Sequence, residues 1–401
     1  MPELVNLFQP GPVAVLIWSY LPIGDAVRSA QASRICEQSF YRCLTRLELQ
    51  RPLTDASIRL ILRYNPPLVH VSIPDLDRET TLNLIPLEHV SHLALKRCGL
   101  RNINILSGCR RLRSLDLSGA YVTDIGAISQ CSLVELSLAG TNVTSLLPIP
   151  SQLATLQKLD LSGTQIQDLT LLRNASRLCN VTLAGCNVNG NLPMFPDSVT
   201  TLDLTAASLD GLNMLPKTLK QLSLAYSRIQ DVTALARFTE LTFLDMSGAI
   251  LNDLNMLLSL SRLQFLDISR TTICDLGPIQ HSVMLRALRA SHTPVHDVTP
   301  VSYCTRIEML DLSYTKVYDL SSLSACTRLR YVNVTNTNVR HIGGIAAEVI
   351  GLRSRSTRTF QSQRHVTKRN ITSQQHVAKR NITWSDAFWL FILVSLLFAL
   401  Q

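Results

Sequence analysis

A chain of 401 residues that is 46% hydrophobic can bury a large core, and a formal charge of +9 would suit a nucleic-acid binder if it were spread over that length. It is not spread: eight of the 38 lysines and arginines lie between Arg353 and Arg380 with no acidic residue among them, leaving 30 bases against 29 acids elsewhere. The folded part is therefore close to neutral, and the basic segment interleaves only one aromatic, Phe360, which argues against nucleic acid as the partner. Ten cysteines are too sparse for a disulfide framework and none falls in CxxC or Cys/His metal spacing. Buried thiols in a reducing compartment are expected, with Cys36 and Cys43 the one pair read as able to bridge. No metal or cofactor is called for.

In chain order, residues 1–43 come first. The first basic residue is Arg28, and the apolar run from Val13 to Tyr20 is short and lacks a charged flank, so no signal peptide is recognisable. Val13, Leu16, Ile17, Tyr20 and Leu21 recur at helical spacing until Pro22 interrupts them. Asp25 is placed to cap a second helix carrying Val27, Ala30 and Ile35. This predicts a short helical cap over the open apolar edge of the first downstream repeat. The text from Leu16 to Arg34 also resembles the F-box, a helical module that docks an adaptor of cullin-based ubiquitin ligases. That resemblance implies adaptor docking through Leu16, Tyr20, Leu21 and Pro22.

From about 44 to 352 the chain is periodic. Threonine recurs at 271, 293, 315 and 337, a step of 22 residues, within a frame best seen from Leu310 to Leu320. Fourteen apolar markers, from Leu49 and Ile73 through Leu312 and Val334, keep steps of 20 to 24 residues. The LxL core of each unit has a strand period, so its leucines point inward and the residue between them faces solvent. At this length a full return helix does not fit, so short 3₁₀ turns or extended backbone are expected on the far side. Asp231, Asp253, Asp275, Asp297 and Asp319 precede each return and are read as caps of its free amides. The prolines of Leu192–Pro196 and Leu215–Pro216 coincide with irregular steps and are expected to disturb the array there.

The frame LxxLxLxxTxVxDLxxL resembles the leucine-rich repeat, closest to the short 22-residue class of internalins. Resemblance implies an α/β solenoid, a horseshoe with a concave parallel β-sheet, to which the flanking residues add a short helical N-terminal cap and a C-terminal hydrophobic helix. Family repeats usually hold asparagine at the turn; here the position is threonine, cysteine (Cys98, Cys186), serine or alanine (Ala120, Ala207, Ala249), which predicts a weaker ladder.

On the expected concave face the column between the strand leucines is mostly aspartate (Asp116, Asp160, Asp203, Asp245, Asp267, Asp311), with Arg289 and Asn333. Neighbouring columns hold small residues in the first half, such as Gly119, Gly140, Gly163 and Gly185. In the second half they hold Tyr226, Phe243, Phe265, Arg270, His292, Met309, Tyr314 and Tyr331. Exposed aromatics with arginine and methionine have the composition of an interface core. A protein partner is predicted there, with Arg270 and Arg289 supplying charge; the alternative is that the rings stack on one another along the sheet.

Residues 353–383 are a basic linker with a tandem duplication, SQRHVTKRNIT (362–372) and SQQHVAKRNIT (373–383), too poor in apolar residues to order itself. Residues 384–401 end in a uniformly apolar run, Ala387 to Leu400. Fourteen residues span only about 21 Å as a helix, but Trp384 and the nearby bases suit a membrane interface. A single-pass tail anchor with the repeats facing the cytosol is predicted, with a lipid-anchor signal or an interfacial helix as alternatives. Six N-x-[ST] sequons occur, at Asn142, Asn174, Asn180, Asn333, Asn370 and Asn381. No nucleophile elbow, phosphate loop or isolated acid/base pair is present, so a binding scaffold rather than an enzyme is expected.

Overall fold

Alternating leucines dictate the architecture: each LxL segment can bury two side chains only by pairing with its copy one repeat away. The computed structural model describes residues 45–48, 68–73, 87–186, 192–209, 211–229 and 231–352. Across these, fifteen three-residue strands, from Arg46–Glu48 to Glu348–Ile350, form one parallel sheet in sequence order. Register is uniform, with leucine facing leucine from repeat to repeat, as in Leu244↔Leu266 and Leu266↔Leu288. The last strand was not expected: Val349 pairs with Val332 only 17 residues on, outside the 22-residue comb.

The return side carries nine short 3₁₀ helices among the described residues, three to five residues each, from Asn104–Gly108 to Ser321–Ala325. No α-helix occurs among the described residues, so there the helical component of the expected α/β solenoid is 3₁₀. The aspartates do what their spacing implies. Each Oδ1 accepts the backbone N–H two residues on, the first residue of a 3₁₀ helix: Thr233 on Asp231 at 2.9 Å, Asn255 on Asp253 at 2.8 Å, Gly277 on Asp275 at 2.7 Å, Thr299 on Asp297 at 2.8 Å and Ser321 on Asp319 at 2.8 Å. Side-chain and backbone bonds from Thr233, Thr299 and Ser321 hold Asp231, Asp297 and Asp319 below the usual carboxylate range.

Around the prolines the pattern of returns changes. Between Thr170–Asn174 and Thr233–Arg237 no 3₁₀ helix occurs among the described residues, and Ser208–Leu209 pairs instead with Arg228–Ile229 in a second, two-stranded ladder. Leu192, Phe195, Val199, Leu212, Leu215 and Leu219 fill the core there, and Phe238, fully buried, closes the next 3₁₀ helix.

Thr271, Thr293, Thr315 and Thr337 are all buried. Each hydroxyl donates to the carbonyl three residues back, at 2.6–2.7 Å. These bonds close a turn within one repeat and do not tie adjacent turns together, as an amide ladder would. Cys98 and Cys186 share that buried position, and the Cys186 thiol donates to the Leu161 carbonyl of the preceding repeat at 2.9 Å.

Eight cysteines are described, all free; Cys274 alone among them is exposed. Burial pushes the Cys131 thiol up to about 11 and the Cys304 thiol up to about 12, with Cys109 and Cys326 adding to it. Thiolate is the reactive species. Iodoacetamide at pH 8 should therefore label Cys274 first among the eight, as read by peptide mapping, and reach Cys131 and Cys304 only on unfolding. Equal labelling rates at Cys131 and Cys274 would contradict the packing described.

The helical cap and adaptor-docking residues of 1–43, the pair Cys36 and Cys43, the linker of 353–383 and the apolar segment of 384–401 lie outside the described residues. Among the described residues no helix is long and apolar enough to cross a membrane. Asn142 and Asn174 are exposed, whereas Asn333 is buried on its strand and its Oδ1 accepts the Thr335 N–H and hydroxyl.

Candidate functional site

Just beyond each strand the chain must turn sharply, and from Arg97 to Asn336 one residue of each unit takes a left-handed backbone. Glycine meets that demand without a Cβ clash, and it stands there at Gly119, Gly140, Gly163, Gly185 and Gly248, with φ between 63° and 70°. The same position holds Arg97 early in the array, Ala206 and Asn336, and in the second half Tyr226, Arg270, His292 and Tyr314, with φ of 54°, 59°, 55° and 56°. Each such residue costs about 1–2 kcal/mol relative to an unstrained backbone.

The turn is locked from several sides. In the repeat of Tyr314, Asp311 Oδ1 accepts the Ser313 N–H at 3.0 Å and the Ser313 hydroxyl at 2.7 Å. Thr315 closes its own turn behind, and the Tyr314 N–H donates to the Thr335 carbonyl of the next repeat at 2.8 Å. Tyr226, Arg270 and His292 make the same inter-repeat bond, to Ser247, Ser291 and Ser313. Four bulky side chains are thus fixed in a row along the strand-exit edge of the sheet.

All four are exposed, Tyr226 at 57% and Tyr314 at 51%. The His292 and Tyr314 rings stack at 4.1 Å and 10°. The Tyr226 ring lies over Gly248, so closely that a Cβ on Gly248 would fall 2.5 Å from a ring carbon. No hydrogen bond or ion pair from the Arg270 guanidinium, the His292 imidazole or the two phenol hydroxyls is formed among the described residues.

The strand column behaves differently. Phe243 is half-buried and stacks on Phe265 at 4.4 Å and 6°. Phe265 and Met309 are buried, not exposed as the alternation suggested, and Tyr331 remains 39% exposed. Stacking along the sheet, the alternative reading, is thus what Phe243 and Phe265 do. Arg289 is engaged as well, 3.6 Å from Asp267 on the neighbouring strand. Of the nine residues singled out, the structure brings Tyr226, Arg270, His292 and Tyr314 into one exposed row, keeps Tyr331 and part of Phe243 accessible, and withdraws Phe265, Met309 and most of Arg289.

Burial pushes the Asp267 carboxyl up to about 6, and the charge of Asp245 adds to it, against the Ser269 hydrogen bonds and Arg289. A carboxylate whose pKa is raised by folding costs stability when ionised, above that pKa, and the cost disappears as the folded chain takes up its proton. The denaturant midpoint should therefore rise between pH 7.5 and pH 5, and Asp267→Asn should remove most of that rise. Depressed carboxylates such as Asp297 and Asp319 act in the opposite sense, but only at lower pH. An unchanged pH profile in the Asp267→Asn variant would contradict the assignment.

In the first half the strand column is polar. His70 and His92 stack at 4.1 Å, and Lys158 pairs with Glu135 at 2.7 Å, holding that carboxyl below its ordinary range. Among the described residues no group of His, Cys, Asp and Glu is placed to hold a metal ion.

A family model described as Leucine Rich repeat matches residues 152–169. Among solved structures, the chain is similar to an internalin, InlF, of Listeria monocytogenes: 20% identity, 75% of this chain and 90% of that one, TM-score 0.56. A leucine-rich-repeat protein of Leptospira interrogans has 15% identity over 82% of this chain and 90% of its own, TM-score 0.56. The functional domain of InlJ from Listeria monocytogenes, which includes a cysteine ladder, has 17% identity over 79% and 66%, TM-score 0.52. No curated protein matches the sequence. At these identities the likeness is one of fold. Repeat period, parallel sheet, 3₁₀ returns and these likenesses agree on a leucine-rich-repeat fold.

Proposed function

We propose that the array is a non-enzymatic protein-binding scaffold whose working surface is the strand-exit row of its second half, Tyr226, Arg270, His292 and Tyr314, extended by Tyr331 and Phe243. One observation carries this reading. The fold alone is served better by glycine at that position, as at Gly119, Gly140, Gly163 and Gly185; in the first half Arg97 alone places an exposed charge there, whereas in the second half Tyr226, Arg270, His292 and Tyr314 gather exposed aromatic and cationic side chains within four repeats, in a strained backbone. Strain of this kind clusters at ligand clamps. A benzophenone side chain introduced at position 292 should crosslink a defined protein partner, and one at exposed position 165, in the first half, should not. Equal crosslinking at both positions would sink the reading.

The tether belongs to the same proposal and rests on sequence: the apolar run 387–400 and the eight bases before it support single-pass attachment with the array facing the cytosol. Alkaline carbonate extraction with protease protection tests it. The ubiquitin-ligase reading rests on residues 16–34, and adaptor co-purification that depends on Leu21 and Pro22 would support it.

A further inference from the structure

We infer that the strand-exit row recognises an extended acidic peptide, with a carboxylate seated on Arg270 and His292 between the phenols of Tyr226 and Tyr314. This names the partner class of the surface proposed above and rests on that reading. The row is rich in unmatched donors. Arg270 offers five N–H groups in a planar fork, His292 at least one, and each tyrosine one hydroxyl. None of these groups has a hydrogen-bond or ion-pair partner among the described residues, and all four residues are exposed. A donor-rich, cationic row is complemented by acceptors carrying negative charge, and guanidinium pairs best with a carboxylate in two parallel bonds.

Spacing fits a short chain. Neighbouring parallel strands lie about 4.8 Å apart, so Arg270 and His292, one repeat apart, can both reach a single carboxylate. From Tyr226 to Tyr314 is four repeats, about 19 Å, the length of about six extended residues. The row is also held still: left-handed turns and inter-repeat N–H bonds fix all four backbones, and the His292–Tyr314 stack and the seat of Tyr226 on Gly248 restrict three of the four side chains before anything binds. Such preorganisation lowers the ordering cost of association.

The rest of the face decides between a discrete acidic segment and a polyanion. Beside the row runs the strand column Asp203, Ser223, Asp245, Asp267, Arg289 and Asp311, in which Asp267 is buried against Arg289 and Asp203, Asp245 and Asp311 are part-exposed. A nucleic acid or sulfated glycan spreading over the sheet would meet those three carboxylates and be repelled. An extended peptide along the exit edge places its acidic group on Arg270 and avoids them.

The test uses the full chain and a fluorescein-labelled octapeptide of alternating Glu and Ser, compared by anisotropy with its Gln/Ser counterpart. The Glu peptide should bind about 10-fold tighter or better, as expected for a charge-assisted pair, and Arg270→Met should abolish that preference. Arg262→Met, at an exposed arginine on the return side, should leave it unchanged. Gly248→Leu, which forces the Tyr226 ring from its seat, should weaken the Glu peptide several-fold. Equal affinity for the two peptides, no saturable binding of either, or an undiminished preference in the Arg270→Met variant would overturn the inference. So would displacement of the Glu peptide by single-stranded DNA at equal charge concentration, which would make the row a general polyanion site. If the charge preference is absent while crosslinking from position 292 persists, the acidic-peptide inference fails and the scaffold reading stands.

Discussion

Replacing Phe238 with alanine is expected to lower the stability of the array by about 3–5 kcal/mol, the cost of emptying a fully buried aromatic site. Phe238 closes the 3₁₀ helix Thr233–Arg237, where other repeats carry Cys109, Ala175, Leu260, Ser282, Cys304 or Cys326. The preceding repeats have no 3₁₀ helix among the described residues, and Phe238, fully buried, stands where the 3₁₀ returns resume. Because stability in a solenoid is roughly a sum of repeats and their interfaces, a hole here weakens the junction between the irregular and the regular stretches. Urea unfolding followed by circular dichroism measures it. A loss below about 1 kcal/mol would mean that the site collapses or is not packed as described.

A loss of similar size is expected when Thr271, Thr293, Thr315 and Thr337 are changed together to valine. Each loses one buried hydroxyl bond, worth about 1 kcal/mol, so the set costs about 3–4 kcal/mol before coupling between neighbours. The fourfold serine variant keeps the donors and should retain most of the stability. If valine and serine variants unfold alike, the hydroxyls contribute nothing and the threonines are there for shape.

Much of the fold was legible because its determinants are periodic. Alternating leucines placed the strands, the 22-residue step placed the repeats, and the aspartates at 231, 253, 275, 297 and 319 sat where free amides had to be capped. What escaped did so for physical reasons. The strand Glu348–Ile350 lies outside the 22-residue comb, and Phe238 occupies a position where residues of any size recur. Alternation assigned Phe265 and Met309 to the correct face but says nothing of how much of that face is covered. The left-handed turn was the main omission. Its signal was present: Gly119, Gly140, Gly163, Gly185 and Gly248 are in register with Tyr226, Arg270, His292 and Tyr314, and a position that alternates glycine with bulky residues is one where backbone conformation is fixed and side chain is free. That register separates four of the nine predicted binding residues from the strand column with which they were grouped.

The central claim is that those four side chains serve binding and not folding, and one variant tests it: Tyr226, Arg270, His292 and Tyr314 all changed to glycine. The fold loses the His292–Tyr314 stack, worth about 0.5–1.5 kcal/mol, and the added freedom of four glycines in the unfolded chain, about 0.5–1 kcal/mol each. It is relieved of four left-handed penalties of about 1–2 kcal/mol each. Stability measured by denaturant should be no lower than that of the parent, while the partner crosslinked from position 314 of the parent, and retained by the parent in pull-down, should be lost. A variant that keeps its partner, or that unfolds several kcal/mol more easily, would contradict the account.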